Sequence, residues 1–170
     1  MKISIRKAQP EDAELLHRLA FSIYPVHFRD MWLSECEMYT YLEREFSLSA
    51  LDCGLQNIDV CWLIAETDRP VGFAKLTWTS TIPNTAISGV SLDRIYFNPE
   101  DTGKHFGKLM FREIITASHE EGKKFLWLTV REPNGRARKF YEELGMQHLG
   151  NTVFRTETQL STLHIMGMEI

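Results

Sequence analysis

Cysteine is scarce in this sequence and poorly placed. Only three occur, Cys36, Cys53 and Cys61. The odd number and the lack of CxxC or Cys/His spacing exclude a disulfide framework and a thiolate metal site. They read as reduced thiols of a reducing compartment, with Cys61 buried in an apolar run. No run approaches the length of a bilayer, and the opening MKISIRKAQPED has no apolar stretch of the signal-peptide kind. The expectation is a cytoplasmic protein with no membrane partner. Charge of one sign is also missing: a net charge of −4 with 25% charged residues does not describe a nucleic-acid binder. Neither Gly-x-x-x-x-Gly-Lys-Ser/Thr nor GxGxxG occurs, which removes the common phosphate-loop and dinucleotide sites. Repeats, low-complexity segments and linkers are absent, so residues 1–170 read as one domain, without a metal.

What is present is ordinary globular patterning, with 44% apolar residues. Ile3 and Ile5 alternate with Ser4 and Arg6 as a short strand. Gln9-Pro10-Glu11-Asp12 opens a helix whose apolar face is Leu15, Leu16, Leu19, Ala20 and Ile23, and Tyr24-Pro25 is expected to end it. Val26 to Asn57 is the least regular stretch, with Ser34-Glu35-Cys36-Glu37 capping a second helix through Tyr41, Leu42 and Phe46. Val60 to Glu66 and Val71 to Ser80 read as a hairpin, with Gly72 marking a bulge or close approach. Ala86 to Phe97 is a longer strand, and Phe125 to Val130 a short apolar one covered on both faces. Met146 to Phe154 and Leu160 to Glu169 close the chain as two strands. This order predicts an α/β fold, a mixed sheet flanked by helices.

Two stretches carry chemistry. In SLDRIYFNPEDTGKHFGKLM a strand runs into a loop with Gly103 and Gly107, then a helix with Phe106, Leu109, Met110, Ile114 and Ala117 on one face. Backbone N–H groups at such a helix start, together with its dipole, suit an anionic phosphate. The second stretch is WLTVREPNGRARKFYEELGM, where a strand precedes a helix with Ala137, Phe140, Tyr141 and Leu144 on one face and Gly145 as its stop.

Together these stretches resemble the Gcn5-related N-acetyltransferase superfamily. Its second motif, Asn-x-x-Ala-x-x-Phe-Tyr-x-x-x-Gly-Phe, reads here as Asn134, Ala137, Phe140, Tyr141, Gly145 and Met146. The first motif, Gln/Arg-x-x-Gly-x-Gly/Ala, is less well kept: Thr102 stands for Gln/Arg and His105 for Gly. The Asp93-Arg94-Ile95-Tyr96 strand and the LHIMGMEI tail are most similar to bacterial Pai-type polyamine acetyltransferases.

The resemblance implies a largely antiparallel sheet of about seven strands, splayed at Phe97 and Val130 to hold acetyl-CoA. Pantetheine would pair with the backbone of Ile95, Tyr96 and Phe97. The pyrophosphate would meet Thr102 and the amides of Gly103, Lys104, His105, Phe106, Gly107 and Lys108, where a Cβ at His105 is expected to crowd it. Asn134, an N-cap in its own right, and Lys139 would also contact the cofactor. Tyr141 would be the general acid at the thioester sulfur and Asp93 the general base; Glu35, Glu37 and Glu43 would hold the remote ammonium of a polyamine.

The implied reaction is acetyl transfer to a small-molecule primary amine, with spermidine as one acceptor. A protein or peptide amine, a lysine and an aminoglycoside are the alternatives, as is a non-catalytic acyl-CoA-binding domain. Relatives commonly pair, so a homodimer is also expected.

Overall fold

A computed structural model of the protein describes residues 2–170. A short strand, β1 (Ser4–Lys7), leads to helices α1 (Ala13–Phe28), α2 (Glu35–Phe46) and α3 (Leu48–Gln56). Three strands follow, β2 (Val60–Glu66), β3 (Pro70–Thr81) and β4 (Ser88–Phe97). The chain then runs through α4 (Phe106–Glu120), β5 (Phe125–Arg131), α5 (Gly135–Glu143), β6 (Gln147–Arg155) and β7 (Leu160–Glu169).

One seven-stranded sheet results, in the order β1-β2-β3-β4-β5-β7-β6. Its strands pair antiparallel except β4 with β5. Leu63, Ala74, Leu92 and Leu128 face α4 and α5 in one core, while Trp62, Ile64 and Phe73 meet α1, α2 and α3 in the other. The mixed α/β class and the strand number agree with expectation.

The central parallel pair is brief. Only Val90↔Leu126 and Ser91↔Trp127 are in register, after which the strands diverge. The expected splay at Phe97 and Val130 therefore opens much nearer the start of β4. A β-bulge lies at the same place: Leu76 pairs with Leu92 but Lys75 with Arg94, leaving Asp93 as the extra residue. A bulge of this kind bends and twists its strand, which turns β4 away from β5. Gly72 supports the bend, since a Cβ there would stand 2.5 Å from both Phe97 Cδ1 and the Tyr96 carbonyl.

Three expectations fail. Pro25 does not end α1; it is buried inside the helix, which continues to Phe28. Its φ suits a helix and only one N–H is lost, while Tyr24, stacked on Phe28 at 4.8 Å, holds the final turn. Helix α3 goes unpredicted because a nine-residue segment with one buried side chain, Leu51, shows no period. Leu109 is 38% exposed, and Phe111 takes the buried place on α4.

The capping box at α2 is half formed. Ser34 Oγ accepts from the Glu37 amide, but the Glu37 carboxylate instead accepts from the Thr156 and Thr158 hydroxyls at 2.6 and 2.7 Å. It ties α2 to the β6–β7 turn.

Candidate active site

The divergence of β4 and β5 leaves a channel of three adjoining clefts. At the loop end, a cleft of about 370 Å³ is lined by Thr102, Gly103, His105, Phe106, Gly107 and Lys108, with Arg136 and Phe140 opposite. The middle cleft shares Phe97, Thr102, Gly107, Arg136 and Phe140 with it and adds His27, Ile95 and Tyr96. Beyond them a cavity of about 340 Å³ opens against α1 and α2, walled by Asp93, Arg94, Tyr24, Tyr41 and Arg131. Asn134, Ala137 and Tyr141 line both of the last two.

At the loop end the amides of Gly103 to Gly107 donate to no protein acceptor among the described residues, whereas Lys108 N–H is turned back on the His105 carbonyl at 3.2 Å. The first turn of α4 carries no acidic side chain, so unpaired donors and dipole act together on an anion. His105 sits at φ 64 in the left-handed region. The position favours glycine for backbone reasons, independent of any crowding by the Cβ. Lys104 is diverted: its Nζ donates to Asp101 Oδ1 at 2.7 Å. Thr102 Oγ1 donates to the Pro99 carbonyl at 2.8 Å.

Asp101 anchors this loop. It is only 2% exposed and receives Arg69 Nη2 at 2.8 Å in addition to Lys104. Burial alone would raise its carboxyl, but hydrogen bonds from Lys104, Asn98 and Arg69 hold it below the usual range.

In the middle cleft the strand edge is laid open. Asn98 N–H donates to the Val71 carbonyl, so the antiparallel alternation turns the backbone groups of Ile95 and Phe97 away from β3, toward the gap. Tyr96 presents its ring to the clefts and its backbone to β3. The Phe97 carbonyl is already engaged by His27 Nε2 at 2.8 Å.

Tyr141 stands where the middle cleft meets the far cavity. Burial pushes its phenol far above the ordinary value, and no protein group bonds its hydroxyl among the described residues. Asn134 Oδ1 caps α5 by accepting from Ala137 N–H at 3.1 Å, which leaves its side-chain NH₂ for a ligand. Lys139 lies on the exposed face of α5 and lines none of these clefts, whereas Arg136, one turn earlier, lines two.

Asp93 lines the far cavity, where the Ser91 and Thr77 hydroxyls donate to its two oxygens, each at 2.6 Å. None of the three expected glutamates lines that cavity: Glu35 pairs with Arg29, Glu37 serves the β6–β7 turn and Glu43 is exposed. The glutamate found there is Glu45. Sequence reading missed it, together with Arg94, Arg131 and His27. Strict alternation puts Asp93 and Arg94 on opposite faces; the bulge puts both on one. His105 and His119 are both exposed, the second at the tail of α4.

The profile of the Acetyltransferase (GNAT) family matches residues 26–146. The chain belongs to that family. Curated relatives include the [ribosomal protein bS18]-alanine N-acetyltransferase of Haemophilus influenzae, 34% identical over a match that spans 51% of this chain and 53% of that enzyme. The spermidine N(1)-acetyltransferase of Thermoplasma acidophilum is 28% identical over 86% of this chain and 89% of its own length. Among solved structures, the PaiA N-acetyltransferase of Thermoplasma acidophilum, in complex with coenzyme A, superposes over 100% of both chains with a TM-score of 0.77 and 26% identity. In this GNAT chain no group of three or more metal-ligating side chains occurs among the described residues. No described helix is long and apolar enough to cross a membrane.

Proposed function

We propose that this chain is an acetyl-CoA-dependent N-acetyltransferase acting on a primary amine of a small molecule. Tyr141 carries the reading: a buried phenol with no protein partner among the described residues, at the junction between a channel with unpaired backbone donors and a separate cavity. The residues present fit the cofactor. The Gly103 to Gly107 amides and Arg136 would take its phosphates, the free edge at Ile95 its pantetheine arm, and Asn134 a polar group between them. When bound, acetyl-CoA supplies an activated acyl carbon, which bonds to the amine nitrogen as the carbon–sulfur bond breaks and the sulfur leaves as thiol.

The chain supplies position and protons. Holding acceptor and donor in adjoining clefts makes the encounter effectively unimolecular. Tyr141 Oη keeps its proton at neutral pH and is the donor for the leaving group. Asp93, with lone pairs remaining on both oxygens, accepts the proton that an acceptor ammonium must shed.

For the acceptor, the Thermoplasma relative supports a polyamine and the Haemophilus relative a protein amine; spermidine is therefore the first compound to test and an N-terminal peptide the second. Thiol release from acetyl-CoA across an amine panel, with calorimetry for acetyl-CoA itself, tests the reading. No acetyl-CoA binding would sink it, and binding without release from any amine would leave a non-catalytic acyl-CoA-binding domain.

A further inference from the structure

The far cavity has the wrong charge for a polyamine. Three arginines, Arg44, Arg94 and Arg131, line it against two carboxylates, Asp93 and Glu45. Glu45 is shared, 3.2 Å from Arg44 and 3.5 Å from Arg94, so it cannot neutralise both. Asp93 accepts one hydroxyl bond on each oxygen, from Thr77 and Ser91, which leaves a lone pair on each, and Lys75 stands 3.9 Å away and offsets part of its charge.

Arg131 has no carboxylate partner among the described residues. Its guanidinium stacks on Trp32 at 4.6 Å and Phe154 at 5.2 Å, and a single bond, Nη1 to the Met31 carbonyl at 3.1 Å, uses its donors. A guanidinium carries five N–H groups in a planar fork that matches a carboxylate; here aromatic faces hold the plane and most of the fork stays open. Arg94 repeats the motif more deeply. It lies over Tyr41 and Phe46, and its Nε is buried without a partner among the described residues. A guanidinium with no carboxylate of its own, or only a shared one, in a partly buried cavity is costly unless an anion completes it, whereas a polycation would add to the excess.

From this we infer that the acceptor is an amino carboxylate, a primary amine bearing a carboxylate on an apolar or aromatic body. The inference rests on the acetyltransferase reading above and names the substrate class for the same site. Arg131, at the end of β5, takes the carboxylate. Asp93, on the diverging β4, is the one cavity carboxylate not claimed by arginine and takes the ammonium. Tyr24, Phe28 and Tyr41 wall the space between, packed on one another at 4.8 and 5.4 Å. In the group transfer, the ammonium loses one proton to Asp93, and the carbon–nitrogen bond forms as the carbon–sulfur bond breaks. Tyr141 protonates the departing sulfur, and the second amine proton, shed as the amide forms, restores the Tyr141 phenol.

The test is calorimetry on the coenzyme A-loaded protein with leucine, phenylalanine and tryptophan, each beside its decarboxylated amine, and with spermidine. At least one amino acid should bind about tenfold or more tighter than its amine, the scale of a charge-assisted hydrogen bond. Arg131→Met, which keeps the stacked stem, should bring that ratio to within about twofold, and Arg131→Lys should recover part of it. A stability check on both variants separates loss of charge from loss of fold. Amines binding as well as or better than their amino acids, spermidine preferred over all, or no amino acid binding at all would each overturn the inference. Thiol release with spermidine would then leave the acetyltransferase reading standing. Carboxylate-selective binding without thiol release would support the inference and overturn that reading instead.

Discussion

His27 Nε2 lies 2.8 Å from the carbonyl oxygen of Phe97, on the edge of β4 that faces the gap. A carbonyl can only accept, so Nε2 carries the proton. The bond joins α1 to the open strand edge and takes one of the two lone pairs of an acceptor that a pantetheine amide would otherwise have to itself.

Replacing His27 by Ala should therefore leave acetyl-CoA affinity unchanged or raise it by up to about fivefold, the scale of one modest hydrogen bond. Calorimetry measures this directly. A tenfold loss would show that the imidazole holds the edge in its binding geometry and does not compete for it.

Replacing Tyr141 by Phe should lower kcat by about a hundredfold or more, the usual contribution of a positioned proton donor, with acetyl-CoA affinity within about twofold. Because burial lifts the phenol far above its ordinary value, the donor stays protonated across the accessible range. The kcat profile should then show no loss attributable to this group between about pH 7 and 9. An alkaline limb present in the native protein and absent from Tyr141→Phe would contradict the assignment.

His105→Gly should stabilise the protein by about 1 kcal/mol, since an L-residue in the left-handed region costs about that much. Urea unfolding reports the change. Acetyl-CoA should also bind more tightly, because the exposed imidazole lines the phosphate end of the channel. If neither quantity moves, the departure from glycine at this position carries no cost.

Asp101→Asn removes a buried carboxylate shared by Arg69 and Lys104 and should cost about 1–3 kcal/mol at neutral pH. The Asp101 carboxyl is held below its unfolded value, which lies at about 3.9. Its stabilisation is therefore present above about pH 4 and lost as pH falls through the folded value. The stability gap between native protein and variant should narrow on acidification below about pH 4. A gap that stays constant to pH 2 would show that the carboxylate is not perturbed by folding.

Much of the frame was legible from local pattern. Val60–Glu66 has the strand limits that its apolar run indicates, and Gly145, at φ 98, ends α5 in the left-handed conformation expected of it. Gly72 marks a close approach, as an isolated strand glycine should. Pro25 shows the limit of such reading: a local breaker was overridden by packing around Tyr24, which no windowed pattern contains. Helix α3 shows another, because a short helix with one buried residue has no period to detect.

The site divides along the same line. Asn134 and Tyr141 are close in sequence, so helix geometry alone brings them to one face of α5. The motif they belong to let the sequence by itself determine the family. The glycine-bearing loop opens a different helix, α4, and only the sheet between brings the two to one channel. The far cavity was decided by the tertiary structure. Asp93 and Arg94 share a wall only because β4 bulges. Arg131 meets Trp32 and Phe154 from segments far apart in the chain, and Glu37 leaves the cavity for a turn more than a hundred residues on. Charge in a cavity is a sum over distant residues, and only the fold determines which of them enter it.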